Sequence, residues 1–251
     1  MPKETKQIQN RKIYNVQNRQ KNTAANIKKN PKHIAIDASE ADLKNTARKP
    51  VEYYKKIFSK TSWLLNMQIK LNIPIVTINL FNYEIKESED FPVVMDALVD
   101  FFSELKKNPL LNENKVKVSV LGKWYDLPGR VIEALKPVID ETRDYDSFFL
   151  NICLNYDGKE EIIDACKIIA KKIQAGKMDA EAINKEAIKD NIYSSYFLPP
   201  DMLIKLGNER KLHGFLLWDA TESYVYFSTK SWLEFDEKHL YYAIKEWKKS
   251  E

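Results

Sequence analysis

The stretch DMLIKLGNERKLHGFLLWDATESYVYF, Asp201 to Phe227, decides the fold. Met202 to Leu206 is an unbroken apolar run interrupted only by Lys205, the composition of a strand covered on both faces of a sheet. It opens into a loop that, with Lys205, carries Arg210, Lys211 and His213, and Tyr224 to Phe227 then reads as another strand. Cationic donors gathered where a buried strand ends are how an α/β protein holds an anion such as diphosphate.

Working outward, the same pattern recurs. His33 to Asp37, Pro74 to Phe81, Lys115 to Leu121 and Ser147 to Leu154 read as strands, several of them continuous apolar runs. Between them lie amphipathic segments at Val51 to Leu71, Phe91 to Lys106, Pro128 to Thr142, Lys159 to Gln174, Asp179 to Asn191 and Asp236 to Lys248. Alternation of this kind predicts an α/β fold: a single domain with a central, mostly parallel six-stranded sheet flanked by helices and joined by right-handed crossovers. Ligands of such sheets lie beyond the carboxyl ends of the strands, where Asp37, Glu84, Lys123, Asn155 and Lys205 fall.

Composition narrows the classes. A chain of 251 residues, 44% hydrophobic, supports one substantial core. Its net charge of +4 is concentrated in Met1 to Lys32, where nine Lys or Arg face Glu4 alone. Residues 1–31 therefore read as a basic, unstructured arm preceding a domain over 32–251, either a solubilising tail or one that touches anionic lipid or nucleic acid. No apolar run reaches membrane-spanning length, so the expected location is cytoplasmic, at most peripheral to a membrane. None of the six glycines precedes Gly122, which excludes a Walker loop or a GxGxxG turn on the first strand. Cys153 and Cys166 have no CxxC partner and read as reduced core thiols. His33 reads as a strand-edge residue, and His239 as surface or dimer interface.

The motifs resemble those of the cis-prenyltransferases, which make undecaprenyl, dehydrodolichyl and related polyprenyl diphosphates; the likeness is strongest from about Lys115 to the end. NYDGKEEI matches the family's NYGGRxEI at Asn155, Tyr156, Gly158 and Ile162, with Gly158 expected to take a positive φ. In the family's RTSGExRLSNF, which binds isopentenyl diphosphate, both Arg become Lys205 and Lys211, Glu209 is kept, and the Ser and Asn become His213 and Gly214. The family's DGNGRWA, whose Asp holds Mg²⁺, corresponds to HIAIDASEADLKNTARKP, so the resemblance makes Asp37 the candidate catalytic carboxylate and Mg²⁺ ligand, if the first strand is two residues shorter. Asp37 inside the strand would be a buried unpaired charge; a turn or helix-capping role is the competing assignment. Arg48 is a further candidate for diphosphate. AFSTENW appears as LFNYEIK, keeping Phe81 and Glu84, which the resemblance makes the second candidate catalytic residue, but losing the Asn. The family's metal Glu, in WQxAYAELYF, falls at Tyr224, with Glu222 two residues away and Asp219 as another acidic candidate.

Two helices with wide apolar faces flank the prenyl channel in the family, which nominates Phe58, Leu65, Leu98 and Phe102 as tunnel residues; ordinary core packing explains the same faces. The resemblance implies prenyl diphosphates as ligands, Mg²⁺ as a cofactor, and a homodimer or a heterodimer with a catalytic homologue; no nucleic acid is implied. Altered metal and diphosphate motifs point to a catalytically impaired or accessory subunit. An unconventional prenyltransferase or terpene cyclase acting on an allylic diphosphate, and a prenyl-lipid binding protein, are the alternatives.

Overall fold

The computed structural model describes residues 30–39, 50–80 and 83–251. Six parallel strands form one sheet in the order β3-β4-β2-β1-β5-β6: β1 His33–Asp37, β2 Ile75–Asn79, β3 Val116–Leu121, β4 Phe148–Cys153, β5 Met202–Leu206 and β6 Tyr224–Ser228. The sheet is wholly parallel because every strand returns through a crossover. Strands β1, β2 and β5 are buried at every position, which explains why their sequences are nearly continuous apolar runs. Edge strand β3 alternates in part, with Lys117 and Ser119 only half-buried.

Helices α1 (Pro50–Ser59), α2 (Thr61–Lys70), α3 (Phe91–Lys106), α4 (Pro109–Glu113), α5 (Gly129–Glu141), α6 (Gly158–Gln174), α7 (Lys185–Lys189) and α8 (Glu237–Ser250) complete the described architecture. Two apolar layers result. The larger joins Ile34 and Ile36 of β1 to α1, α2, α3, α5 and α8. The smaller collects Ala35, Ile75, Cys153 and Leu203 with Phe197, Phe215 and Leu216 on the other face of the sheet. No helix among the described residues is long and apolar enough to cross a membrane.

Two helical expectations need correction. Val51 to Leu71 is two helices meeting at Lys60. The Lys60 ammonium donates to the carbonyls of Trp232, Leu233 and Phe235 at 2.6, 2.9 and 2.6 Å and lies 5.1 and 5.2 Å from the ring centres of Trp63 and Trp232. The carbonyl partners are more than 170 residues away, so local periodicity carries no trace of the break. Asp179 to Asn191 is helical only at Lys185–Lys189, capped by Asn184, after a 3₁₀ turn at Ala180–Ala182.

His33 is not an edge residue. It opens β1, which lies between β2 and β5, and is buried with Nδ1 2.6 Å from the Leu198 carbonyl and Nε2 2.8 Å from Thr77 Oγ1. Because a carbonyl only accepts, Nδ1 carries the ring proton and Nε2 accepts from the Thr77 hydroxyl, which in turn accepts from Asn151 Nδ2 at 3.0 Å. Burial lowers the His33 pKa to about 4, so the ring is neutral at pH 7. Cys153 is buried as expected, but Cys166 is exposed on α6.

Candidate active site

Register assembles the centre of the site. Asp37 closes β1 and is directly opposite Asn79 of β2 on one side and Lys205 of β5 on the other, so all three side chains leave the same face. Lys205 Nζ lies 3.1 Å from Asp37 Oδ2, and Asn79 Nδ2 and the Ser39 amide donate to Oδ1 at 3.3 and 3.2 Å. Asp37 and Lys205 are 1% and 0% exposed. The expectation of an unpaired buried charge therefore fails: the strand contains Asp37 because Lys205, 168 residues later, neutralises it.

Side-chain alternation along β1 places Asp37 on the face of Ala35, the side of the sheet whose apolar layer includes Phe215, Leu216 and Tyr156. The nominated tunnel residues Phe58, Leu65, Leu98 and Phe102 are all at most 1% exposed and pack in the opposite layer, with Ile34 and Ile36. Phe58 stacks on Phe101 at 5.7 Å. The sheet thus separates the carboxylate from the apolar helices.

Beyond Lys205 the chain turns outward. Gly207, at φ 100°, donates to the Lys230 carbonyl at 3.0 Å, and Glu209, Arg210 and Lys211 are exposed. His213 pairs with Glu209 at 2.7 Å on the surface. The two Lys that align with the family's diphosphate Arg are therefore divided: Lys205 points into the protein and Lys211 stands in solvent. The loop is anchored through Gly158. A Cβ added there would lie 1.9 Å from the Gly214 carbonyl oxygen and 2.9 Å from Leu217 Cβ, so this glycine serves close approach. The expected positive φ belongs instead to Asn155, at 50°, whose Nδ2 donates to the Lys123 carbonyl at 2.7 Å. Helix α6 begins at Gly158, with the Asp157 carboxylate accepting from the Lys159 amide at 2.7 Å.

Under the loop runs a buried polar chain that sequence reading missed. Tyr156 OH donates to Glu161 Oε2 at 2.6 Å, the Ser194 amide to Glu161 Oε1 at 3.3 Å, and Ser194 Oγ to Asp219 Oδ2 at 2.6 Å. Lys189 Nζ meets both Asp219 oxygens, at 2.7 and 2.6 Å. Burial raises the Glu161 pKa. The only advance signal was a Glu one turn into a helix opened by NYDG. Asp219, the further acidic candidate for the metal site, is 3% exposed and neutralised by Lys189. It lies with Glu222 in a 3₁₀ turn before β6, where Tyr224 is level with Met202. This is the opposite end of the sheet from Asp37, so neither carboxylate joins Asp37 in a metal site. Lys123 lies just past β3 but bridges Glu160 and Asp164 at 2.7 and 3.3 Å, and these carboxylates raise its pKa.

The donor set at Asp37 does not fit Mg²⁺, because a buried ammonium already occupies one carboxylate oxygen and two neutral donors the other. Among the described residues no group of three or more His, Cys, Asp or Glu converges as a metal site. The basic arm through residue 29, Arg48, Phe81 and the side chain of Glu84 lie outside the described residues; Glu84 itself stands in the 3₁₀ turn Tyr83–Glu87.

Comparison with known proteins places this geometry in context. Residues 43–251 match the family model described as "Putative undecaprenyl diphosphate synthase", well upstream of Lys115. The chain is similar to the isoprenyl transferase of Streptococcus mutans, with 30% identity over 236 residues, 91% of this chain and 94% of that protein. It is also similar to the tritrans,polycis-undecaprenyl-diphosphate synthase (geranylgeranyl-diphosphate specific) of Methanopyrus kandleri, 28% identical over 225 residues, 88% and 83% of the two chains. The crystal structure of lavandulyl diphosphate synthase from Lavandula x intermedia, in complex with dimethylallyl diphosphate, superposes with a TM-score of 0.81 at 21% identity, covering 87% of this chain and 95% of that one.

Proposed function

The chain belongs to the cis-prenyltransferase family, and from that membership we propose that it serves polyprenyl diphosphate synthesis as a catalytically impaired or accessory subunit that pairs with a catalytic homologue. The observation that carries this reading is Asp37. The carboxylate that the family resemblance nominates as metal ligand is neutralised by Lys205 and faces away from the apolar helices. A transferase must stabilise the charge that develops as an allylic diphosphate departs, and a carboxylate already paired internally has little left to contribute to that task. Arg210 and Lys211 still present positive charge on the exposed loop. Lys211 attracts a diphosphate as a point charge, without the planar fork that Arg uses to orient phosphate oxygens. Pairing is supported by α6, which follows the NYDG turn and exposes Ile163 and Ile168 at 44% and 41%, beside a loop exposing Leu217 at 40%. Exposed apolar side chains on this helix and loop suit burial against a second family chain.

Purified chain incubated with Mg²⁺, labelled isopentenyl diphosphate and geranylgeranyl diphosphate tests the reading. No elongation by the chain alone, and elongation once a catalytic homologue is co-purified, is the expected result. Sustained elongation by the isolated chain overturns it. The exposed Arg210 and Lys211 favour a second reading, an unconventional transferase that needs only diphosphate attraction. A short, branched or cyclic product from the isolated chain would select that alternative.

A further inference from the structure

We infer that Lys205 is the resident counter-cation of Asp37, so that the ammonium of this chain replaces a divalent ion at that carboxylate. The inference rests on reading the strand-end cluster as the family's diphosphate end, and it assigns to Lys205 the exclusion of metal in place of phosphate binding. Among the described residues, the geometry leaves a second cation one direction of approach. Each carboxylate oxygen has two lone-pair directions. On Oδ1 both are taken, by Asn79 Nδ2 and the Ser39 amide; on Oδ2 one is taken by Lys205 Nζ. Only the direction beside the ammonium remains, and a divalent ion there meets a like charge in a buried setting where water screens little.

Lys205 cannot step aside to make room. Strand β5 is paired on both edges, Asp37 to Lys205 on one side and Lys205 to Phe227 on the other, which fixes its Cα. Its side chain is wholly buried, so swinging outward would mean opening the layer that holds Phe215 and Leu216. The consequence for ligands is that any prenyl diphosphate bound at this end of the sheet is held without a metal bridge to Asp37.

Crystals of the wild-type chain soaked in Mn²⁺ give the direct test. An anomalous difference peak at metal–oxygen distance from Asp37, about 2.1 Å, overturns the inference; a map without one supports it. In Mn²⁺ titrations followed by electron paramagnetic resonance, Lys205→Gln should gain a site roughly tenfold or more tighter than any in the wild type, and Asp37→Asn added to Lys205→Gln should remove it. A folded Lys205→Gln chain that gains no site counts against the proposal; should that variant not fold, the wild-type soak decides alone. Geranylgeranyl diphosphate binding by the wild type should be unchanged by EDTA, and its loss on chelation would also overturn the inference. Absence of prenyl diphosphate binding under both conditions instead defeats the reading of the site, while the Mn²⁺ results still judge Lys205.

Discussion

Replacing Lys205 by Met at pH 7 should destabilise the protein by about 3 to 4 kcal/mol. At 3.1 Å, with the effective dielectric of roughly 20 that describes most protein sites, the attraction lost is about 5 kcal/mol. Part returns because the variant no longer desolvates an ammonium, while Met preserves most of the stem's packing. The variant can also escape by protonating Asp37, which at pH 7 costs about 4 kcal/mol from the ordinary carboxyl pKa near 3.9. That sets a ceiling and a signature: the deficit should shrink by roughly 1.4 kcal/mol per pH unit as the pH falls towards 4. Asp37→Asn combined with Lys205→Met leaves a neutral pair of similar volume and should lie within about 1 to 2 kcal/mol of the wild type, an interaction term of at least 2 kcal/mol in the cycle. Urea unfolding at several pH values measures all four proteins. A single Lys205→Met cost below about 1 kcal/mol, or a deficit independent of pH, refutes the claim that this ion pair anchors the strand ends.

Two further outcomes follow from the same structure. Gly158→Ala must push backbone apart, since its Cβ would lie 1.9 Å from the Gly214 carbonyl oxygen, and should cost at least the upper end of the 1 to 3 kcal/mol typical of overpacking; Gly129→Ala, with nothing within 4 Å, should be tolerated, and thermal unfolding of the pair shows whether the loop anchor is real. His33, lowered to about 4 by burial, lets the unfolded chain take up its proton first as pH falls from about 6.5. Its contribution is complete above that value and is lost on acidification, by about 2 kcal/mol at pH 5 and about 3 kcal/mol by pH 4. Glu161, raised by burial, works in the opposite direction, so the comparison is with His33→Gln, whose urea midpoints between pH 7 and 4.5 should lack that loss.

The strands were legible because a parallel strand buried on both faces leaves the same mark wherever it occurs: His33–Asp37 and Met202–Leu206 coincide with their apolar runs to the residue. What those runs cannot carry is register. Asp37 looked like a liability, and Lys205 like a cation awaiting an anion, because each was read in its own segment; only the pairing of β1 with β5 makes them partners. Lys60, Gly158 and Asp219 failed for the same reason, since a helix break, a missing Cβ and a buried carboxylate answer to carbonyls, a backbone oxygen and a lysine distant in the chain or fold. The family likeness supplied the fold and the candidate positions, but a motif read in its own segment does not show which charges meet across the sheet. An Arg offers a planar fork and a Lys a compact point charge, and with Asp37 in register beside it the Lys205 ammonium has an internal partner at 3.1 Å that the loop sequence alone does not reveal.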